Sequence, residues 1–378
     1  MGPAPRAPHV VIAAGGTGGH IYPGLALADA VAAAAPDAVV TFVGTSRGLE
    51  GEVIPRRGYE LDLVDMVPFA GANRLVLPAA LVRASAQCRR VLRRRLADVA
   101  VGMGGYASAP LVVGARTARV PSLIHESGAV PGKANLLAAR FTDNVATSFP
   151  SAVPRFRGRP TVRVTGMPLA PEFAAFDRDA LRAAARRELG LPADAFVLFV
   201  MGGSQGATRL STAAVELGAR WRDRDDVHIL LKLGARATGE VDELVAAVGA
   251  DKVVHRVAYL DRMDTAYAAA DAALCRAGAG TVAELAVTGL PAVLVPYPFA
   301  TGDHQRENAV ELADAGGAVI VADAEATAER IGPIIEELVD DRRRLDLMAA
   351  AASSVGRPQA AGQLAEWVLG LASGPAHG

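Results

Sequence analysis

The stretch Val10-Val11-Ile12-Ala13-Ala14-Gly15-Gly16-Thr17-Gly18-Gly19-His20 sets an apolar run directly against a glycine-rich turn. Such a run reads as a buried strand of a parallel sheet. The residues behind it, from about 22 to 35, read as a helix. Glycines permit positive φ and close approach of a ligand. The helix start offers unpaired N–H groups and a positive dipole end, which suit phosphate. The construction recurs at Phe196-Val197-Leu198-Phe199-Val200-Met201-Gly202-Gly203-Ser204-Gln205-Gly206. Two such units predict two nucleotide-fold domains facing each other across a cleft.

Outward from the first turn, apolar segments at 38–44, 59–64, 99–102, 122–125 and 144–146 alternate with helical stretches. That is the βαβ rhythm of a doubly wound parallel sheet. The segment 162–168 closes this unit, and a helix over 178–189 leads into the next. Strands are predicted there at 196–201, 228–231, 253–259, 272–275, 292–296 and 318–321, then helices over 326–339, 342–351 and 359–371. A length of 378 residues suits two domains.

Composition removes several classes of function. A formal net charge of −1 gives no sign of nucleic-acid binding. Cys88 and Cys275 are the two cysteines, so neither a disulfide framework nor a zinc set is expected. Residues 1–8 lack a signal-peptide core, and no apolar run reaches the ~18 residues of a membrane span.

The first turn departs from the dinucleotide fingerprint. Gly16 and Gly18 are spaced for it, but Ile21 stands at the third glycine position and the second strand ends in Gly44-Thr45, with no acid for a ribose. NAD is therefore disfavoured, and no P-loop lysine follows either turn. His20, at the mouth of the turn, reads equally as a general base or as a helix-start group that binds phosphate. Gly278-Ala279-Gly280-Thr281 opens another helix, with Glu284 one turn in, placed to accept from a ribose diol or to meet the helix dipole. Gln305 and Asn308, three apart after His304, offer amides to sugar hydroxyls. Gly104-Gly105-Tyr106-Ala107-Ser108 and His125-Glu126-Ser127-Gly128 fall at strand ends on the same edge as His20. The Asp-x-Asp pairs at 177–179 and 223–225 read as solvated surface. The segment 74–95 carries seven arginines and no acid beside Leu75, Val76 and Leu77, a pattern for an anionic membrane surface.

Together these residues resemble the MurG family of peptidoglycan N-acetylglucosaminyltransferases, over nearly the whole chain. Gly-Gly-Thr-Gly-Gly-His at 15–20, Gly-Thr-x-x-Gly-Leu-Glu at 44–50, Gly-Met-Gly-Gly-Tyr at 102–106, His125-Glu126, Pro131-Gly132 and Asn135 match in the first half. Gly-Gly-Ser-Gln-Gly-Ala at 202–207, Cys275-Arg276-x-Gly278, Thr281, Glu284 and His304-Gln305-x-x-Asn308-Ala309 match in the second. The resemblance implies an α/β GT-B fold of two Rossmann-like parallel-sheet domains facing across a cleft. Residues 8–166 would take the acceptor and face the membrane, 167–354 would bind the donor, and a C-terminal helix in 355–373 would pack back on the first domain.

It also implies an inverting transfer of N-acetylglucosamine from UDP-GlcNAc to the C4 hydroxyl of the muramyl sugar of undecaprenyl-pyrophosphate-linked lipid I, forming lipid II, without metal or cofactor. Gly203, Ser204 and Gln205 would meet the donor diphosphate, with Gly278, Gly280 and Thr281 beside them. The backbone near Leu260 would read uracil, Glu284 would hold the ribose, and His304, Gln305 and Asn308 would meet the sugar. Gly16, Thr17, Gly18, Gly19, Tyr106, Ser108, His125 and Asn135 would line the acceptor side. His20 is the preferred base and Glu126 its competitor. Arg83, Arg89, Arg90, Arg93 and Arg94 would hold the protein peripherally on the cytoplasmic face of the cell membrane.

Three departures from the family pattern lie on the acceptor side. Ser127-Gly128 replaces Gln-Asn, Ala109 replaces a glycine, and Met167-Pro168-Leu169-Ala170 loses an arginine. They leave open a MurG-like enzyme with a different lipid-linked or antibiotic-pathway acceptor. An idle sugar-nucleotide or lipid-binding protein is disfavoured by the intact His20, Glu284 and Gln305.

Overall fold

The computed structural model describes residues 6–66, 77–156, 158, 161–202, 208–234, 238–260 and 262–374. Contacts divide the chain into two units, Met1–Ala174 with Arg357–Gly378, and Ala175–Gly356. In chain order the first unit holds β1 (His9–Ala13), α1 (Gly18–Ala34), β2 (Val39–Gly44), α2 (Glu50–Arg56), β3 (Glu60–Leu63), α3 (Leu77–Arg94), β4 (Val99–Gly102), α4 (Ser108–Ala118), β5 (Ser122–Glu126), α5 (Lys133–Ala138), β6 (Asn144–Thr147) and β7 (Thr161–Val164). The second holds α6 (Arg178–Glu188), β8 (Phe196–Met201), α7 (Thr208–Trp221), β9 (Val227–Lys232), α8 (Thr238–Ala247), β10 (Val254–Val257), α9 (Met263–Ala269), β11 (Ala272–Cys275), α10 (Ala279–Thr288), β12 (Ala292–Leu294), α11 (His304–Asp314), β13 (Ala318–Ile320), α12 (Ala328–Asp340) and α13 (Arg342–Ser354). The last helix, α14 (Ala360–Ala372), belongs to the first unit.

Among the described residues the first sheet has the order β3-β2-β1-β4-β5-β6-β7 and the second β10-β9-β8-β11-β12-β13. Every pairing is parallel. In both sheets the order reverses beside the first strand, and ligands of open parallel sheets bind outside the strand ends at that point. β1 and β8 thus stand at the two switch points; the first glycine turn leaves β1, and residues 203–207 of the second lie outside the described residues.

Burial on both faces explains why these strands read as continuous apolar runs. In the first unit one face packs Ile12 and Val101 against Leu25, Leu27 and Val31 of α1 and Leu364, Ala365 and Val368 of α14. The other packs Val11 and Ala13 against Cys88 and Leu92 of α3 and Leu111 of α4. In the second unit Leu198 and Val200 pack against Leu210 and Leu217 of α7 and Ile331 and Ile335 of α12.

A buried ion pair anchors β11, whose far end carries the Gly278–Glu284 segment. Arg186 on α6 donates to the carbonyls of Ala193, Ala195 and Ala269 and to Asp271 Oδ2 at 2.8 Å. Asp271 also accepts from Val197 N and from Arg182. Removing one partner of a buried pair leaves a charge without compensation, at about 3–5 kcal/mol. Arg186→Ala is therefore expected to lower the stability of the second unit by about that amount. The measurement is urea unfolding followed by Trp221 fluorescence in a Trp367→Phe background; an unchanged midpoint would refute the anchoring role.

Candidate active site

The first turn is held open by close packing. Gly16 has φ +89°, a conformation that glycine takes without strain. Thr17 is exposed and is the N-cap of α1, with no side-chain cap bond. The first backbone bonds of the helix run from His20 N and Ile21 N to Thr17 O, at 3.1 and 3.3 Å. Gly18 and Gly19 precede them, with N–H groups that a helix start leaves for a ligand.

His20 is partly exposed. Its Nδ1 lies 3.3 Å from the Gly15 carbonyl oxygen. A carbonyl only accepts, so Nδ1 carries the proton and, in the neutral ring, Nε2 keeps its lone pair. Burial pushes the His20 pKa below its ordinary value; the Gly15 hydrogen bond and the charge of Glu50 oppose that shift. The ring lies over Gly104, where a Cβ would stand 2.5 Å from its Cδ2 and 2.8 Å from its Nε2. Gly105, at φ +79°, leaves no room for a Cβ beside the Gly15 carbonyl. The turn after β4 thus braces the turn after β1, and the half-buried Tyr106 lies beside Gly16.

Glu50 sits beneath this turn, fully buried. Its Oε1 accepts from Thr45 N at 3.0 Å and Thr45 Oγ1 at 2.9 Å, and its Oε2 accepts from Gly16 N at 2.9 Å. A Cβ on Gly15 or Gly44 would come within 2.7 Å of it. In the sequence Glu50 closes the Gly-Thr-x-x-Gly-Leu-Glu motif without an assigned role. The signal was an acidic residue at a helix start among glycines.

Several acceptor-side candidates turn inward. Ser108 is fully buried, and its Oγ accepts from Gly104 N at 3.2 Å, holding the second turn. His125 is fully buried; Nε2 donates to Gly166 O at 3.0 Å. Glu126 is buried and accepts from Gly128 N at 2.9 Å, and from Gly132 N and Asn135 Nδ2 at 3.0 Å. Asn135 Nδ2 also donates to His125 O, while its Oδ1 is buried without a hydrogen-bond partner. The Glu126 carboxylate shapes the loop between β5 and α5. The change to Gly128 leaves this intact, because only its backbone N–H takes part.

In the second unit, Gly278 is the N-cap of α10, and Gly280 has open space where a Cβ would stand. Thr281 and Glu284 are half-buried on the first turns. Glu284 Oε2 accepts from the hydroxyl of fully buried Tyr267 at 2.6 Å. Burial and the neighbouring Glu284 drive the Tyr267 pKa well up, so the phenol remains a donor. Tyr267 has no place among the sequence candidates; it sits in α9, among alanines that carry no polar signal. Gln305 Oε1 accepts from Tyr297 N at 2.9 Å, which leaves its amide N–H₂ to donate. Asn308 is buried and donates to Ala277 O at 3.2 Å, tying α11 to the loop before α10, whereas Gln305 is half-buried. His304 and Leu260 are half-buried. Gly203, Ser204 and Gln205 lie outside the described residues.

On α3, Arg83, Arg90, Arg93 and Arg94 are exposed and Arg89 is half-buried. Arg94 pairs with Asp62 at 2.5 Å, and Arg95 pairs with Glu60 and Asp62. The acids absent from the arginine segment arrive from β3. Leu75 and Val76 lie outside the described residues, and no described helix is long and apolar enough to cross a membrane. The Asp-x-Asp segments are ordinary surface: Asp177 caps α6, and Asp223 and Asp225 pair with Arg222 and Lys252.

Burial pushes His125 down to about 4, against the opposing bond to Gly166. An unfolded histidine titrates near about 6.5. Because the folded pKa is the lower one, the stability that neutral His125 contributes is complete above about pH 6.5 and is lost as pH falls toward 4. The loss is expected to be about 3 kcal/mol. Denaturation of the first unit between pH 7 and 4, with His125→Gln alongside, measures it; equal pH slopes in both proteins would refute it.

Comparison with known proteins places these features in a family. The N-terminal domain of glycosyltransferase family 28 matches residues 10–147, and its C-terminal domain matches residues 197–364. The chain is 42% identical over 370 residues, 96% of its length and 90% of the relative's, to a UDP-N-acetylglucosamine–N-acetylmuramyl-(pentapeptide) pyrophosphoryl-undecaprenol N-acetylglucosamine transferase of Mycolicibacterium vanbaalenii. It is 42% identical over 380 residues to the protein of that name in Mycobacterium tuberculosis, with coverage of 97% and 89%. The crystal structure of MurG from Acinetobacter baumannii superposes with a TM-score of 0.77 at 27% identity, covering 96% of this chain and 99% of that one. With both domains of the family matched and 42% identity kept across 96% of its length, the chain belongs to glycosyltransferase family 28, among the MurG-type N-acetylglucosaminyltransferases.

Proposed function

We propose that the protein transfers N-acetylglucosamine from UDP-GlcNAc to the C4 hydroxyl of the muramyl sugar of lipid I, with inversion, giving lipid II and UDP. The observation that carries this activity is the 42% identity to N-acetylglucosamine transferases of that name across 96% of the chain. The donor belongs to the second unit. N–H groups at the start of α10, around Gly280 and Thr281, meet the diphosphate, Glu284 takes the ribose diol, the backbone near Leu260 reads the base, and Gln305 donates to the sugar. Ser204 and Gln205 join them by family resemblance.

The acceptor pyrophosphate belongs to the first turn, at Thr17, Gly18 and Gly19. His20 takes the acceptor proton on Nε2 as the hydroxyl oxygen attacks the anomeric carbon and the bond to UDP breaks. The hydrogen bonds of the two candidate bases favour His20. Its Nε2 is the ring nitrogen left to accept, whereas the Glu126 carboxylate is engaged by three N–H groups. Transition-state charge on the departing diphosphate is met by preorganised donors. Exposed Arg83, Arg90 and Arg93 hold the protein peripherally on the anionic cytoplasmic face of the membrane, at about 1 kcal/mol for each basic residue near the surface.

UDP release with lipid I and UDP-GlcNAc is expected. Turnover with a different acceptor alone would move the assignment to a MurG-like enzyme of another pathway, and UDP binding without turnover would leave a binding protein. His20→Ala is expected to lower kcat by about 10²–10⁴-fold with donor affinity retained. Glu284→Ala is expected to weaken UDP binding by roughly 10-fold or more, as read by calorimetry; undiminished affinity would remove its ribose role.

A further inference from the structure

Gly15 C=O and Gly16 N–H belong to one peptide group, and both of its ends are used. The N–H donates to Glu50 Oε2 at 2.9 Å, and the C=O accepts from His20 Nδ1 at 3.3 Å. A buried carboxylate, a peptide and an imidazole therefore form one hydrogen-bonded chain. We propose that Glu50 is a positioning residue for the transfer: through the Gly15–Gly16 peptide it fixes His20 with Nδ1 protonated and Nε2 open, and it stabilises the imidazolium that forms when His20 takes the acceptor proton.

The logic is that of a carboxylate that orients a catalytic histidine, with a peptide inserted between the two. Each hydrogen bond in such a chain polarises the next, and a low local dielectric strengthens the effect. The carboxylate cannot drift, because Thr45 N and Thr45 Oγ1 hold its other oxygen. Glycines at 15, 44 and 48 leave the space it fills. Two titratable groups act on the ring electrostatically, Glu50 from α2 and His125 from β5. His125 is pushed down to about 4 and is neutral at assay pH, so Glu50 supplies the charge that His20 feels.

This inference rests on the assignment of His20 as the base. In Glu50→Gln an amide replaces the carboxylate, so one of Thr45 N–H and Gly16 N–H faces an N–H₂ group. The expected result is a fall in kcat of about 10²-fold, unchanged affinity for UDP-GlcNAc, and movement of the acid limb of the pH–rate profile to lower pH, because the charge that raises the His20 pKa is gone. Simple loosening of the turn would admit water and move that limb the other way, toward the unperturbed value. A limb that stays or rises, or an unaltered kcat, would overturn the proposal. If the variant fails to fold, nitrogen-15 NMR of His20 in the wild-type protein still decides: an Nδ1–H tautomer supports the chain, and an Nε2–H tautomer overturns it. Failure of the wild-type protein to turn over lipid I would instead refute the assigned reaction.

Discussion

A parallel strand can be followed only by a crossover, and right-handed crossovers deliver every strand end of a sheet to one edge. In both units that edge is where the chemistry-bearing residues gather. The order reverses beside β1 in one sheet and beside β8 in the other. At each reversal, neighbouring helices leave toward opposite faces and expose the strand ends. The first unit places His20 there after β1 and Gly104 and Gly105 after β4. The second places the α10 helix start after β11.

Close approach is the means by which the first unit makes its site. Two glycine turns meet so tightly that the Gly15 carbonyl has no space beside it for a side chain at Gly105, and the His20 ring rests on Gly104. The polar groups below are spent on one another: Ser108 on Gly104, Asn135 on His125 and Glu126, and Glu50 on Thr45 and Gly16. A buried polar group costs free energy unless it is hydrogen-bonded. Such pairings therefore keep a polar floor under the turn at little penalty and fix its peptides in one orientation.

The frame was legible because its signals are local. Residues 196–201, 272–275 and 99–102 form strands over the predicted spans, since runs buried on both faces declare themselves by apolar continuity. Helix α1 starts at Gly18, ahead of the predicted position near 22, because a first turn needs few side-chain contacts of its own. The internal duties of Ser108, Asn135 and Asn308 were not legible. Sequence spacing assigns a residue to a face, but not to a buried carbonyl or N–H that needs a partner. The same limit hid Glu50, whose partner Gly16 lies 34 positions away, and the acids of β3 that neutralise Arg94 and Arg95.

The last helix has a consequence for how the protein is made. Leu364, Ala365 and Val368 of α14 belong to the same core as Val10, Ile12 and Leu27, although the whole second unit lies between them in sequence. Residues 175–356 hold their own core in one uninterrupted stretch. As the chain leaves the ribosome, the unit synthesised second has every core residue it needs, while the unit synthesised first still waits for its final helix. The strand that presents His20 is thus backed by a core that closes after the core of the second unit, and its glycine turn gains a rigid base only once residues 360–372 have been synthesised.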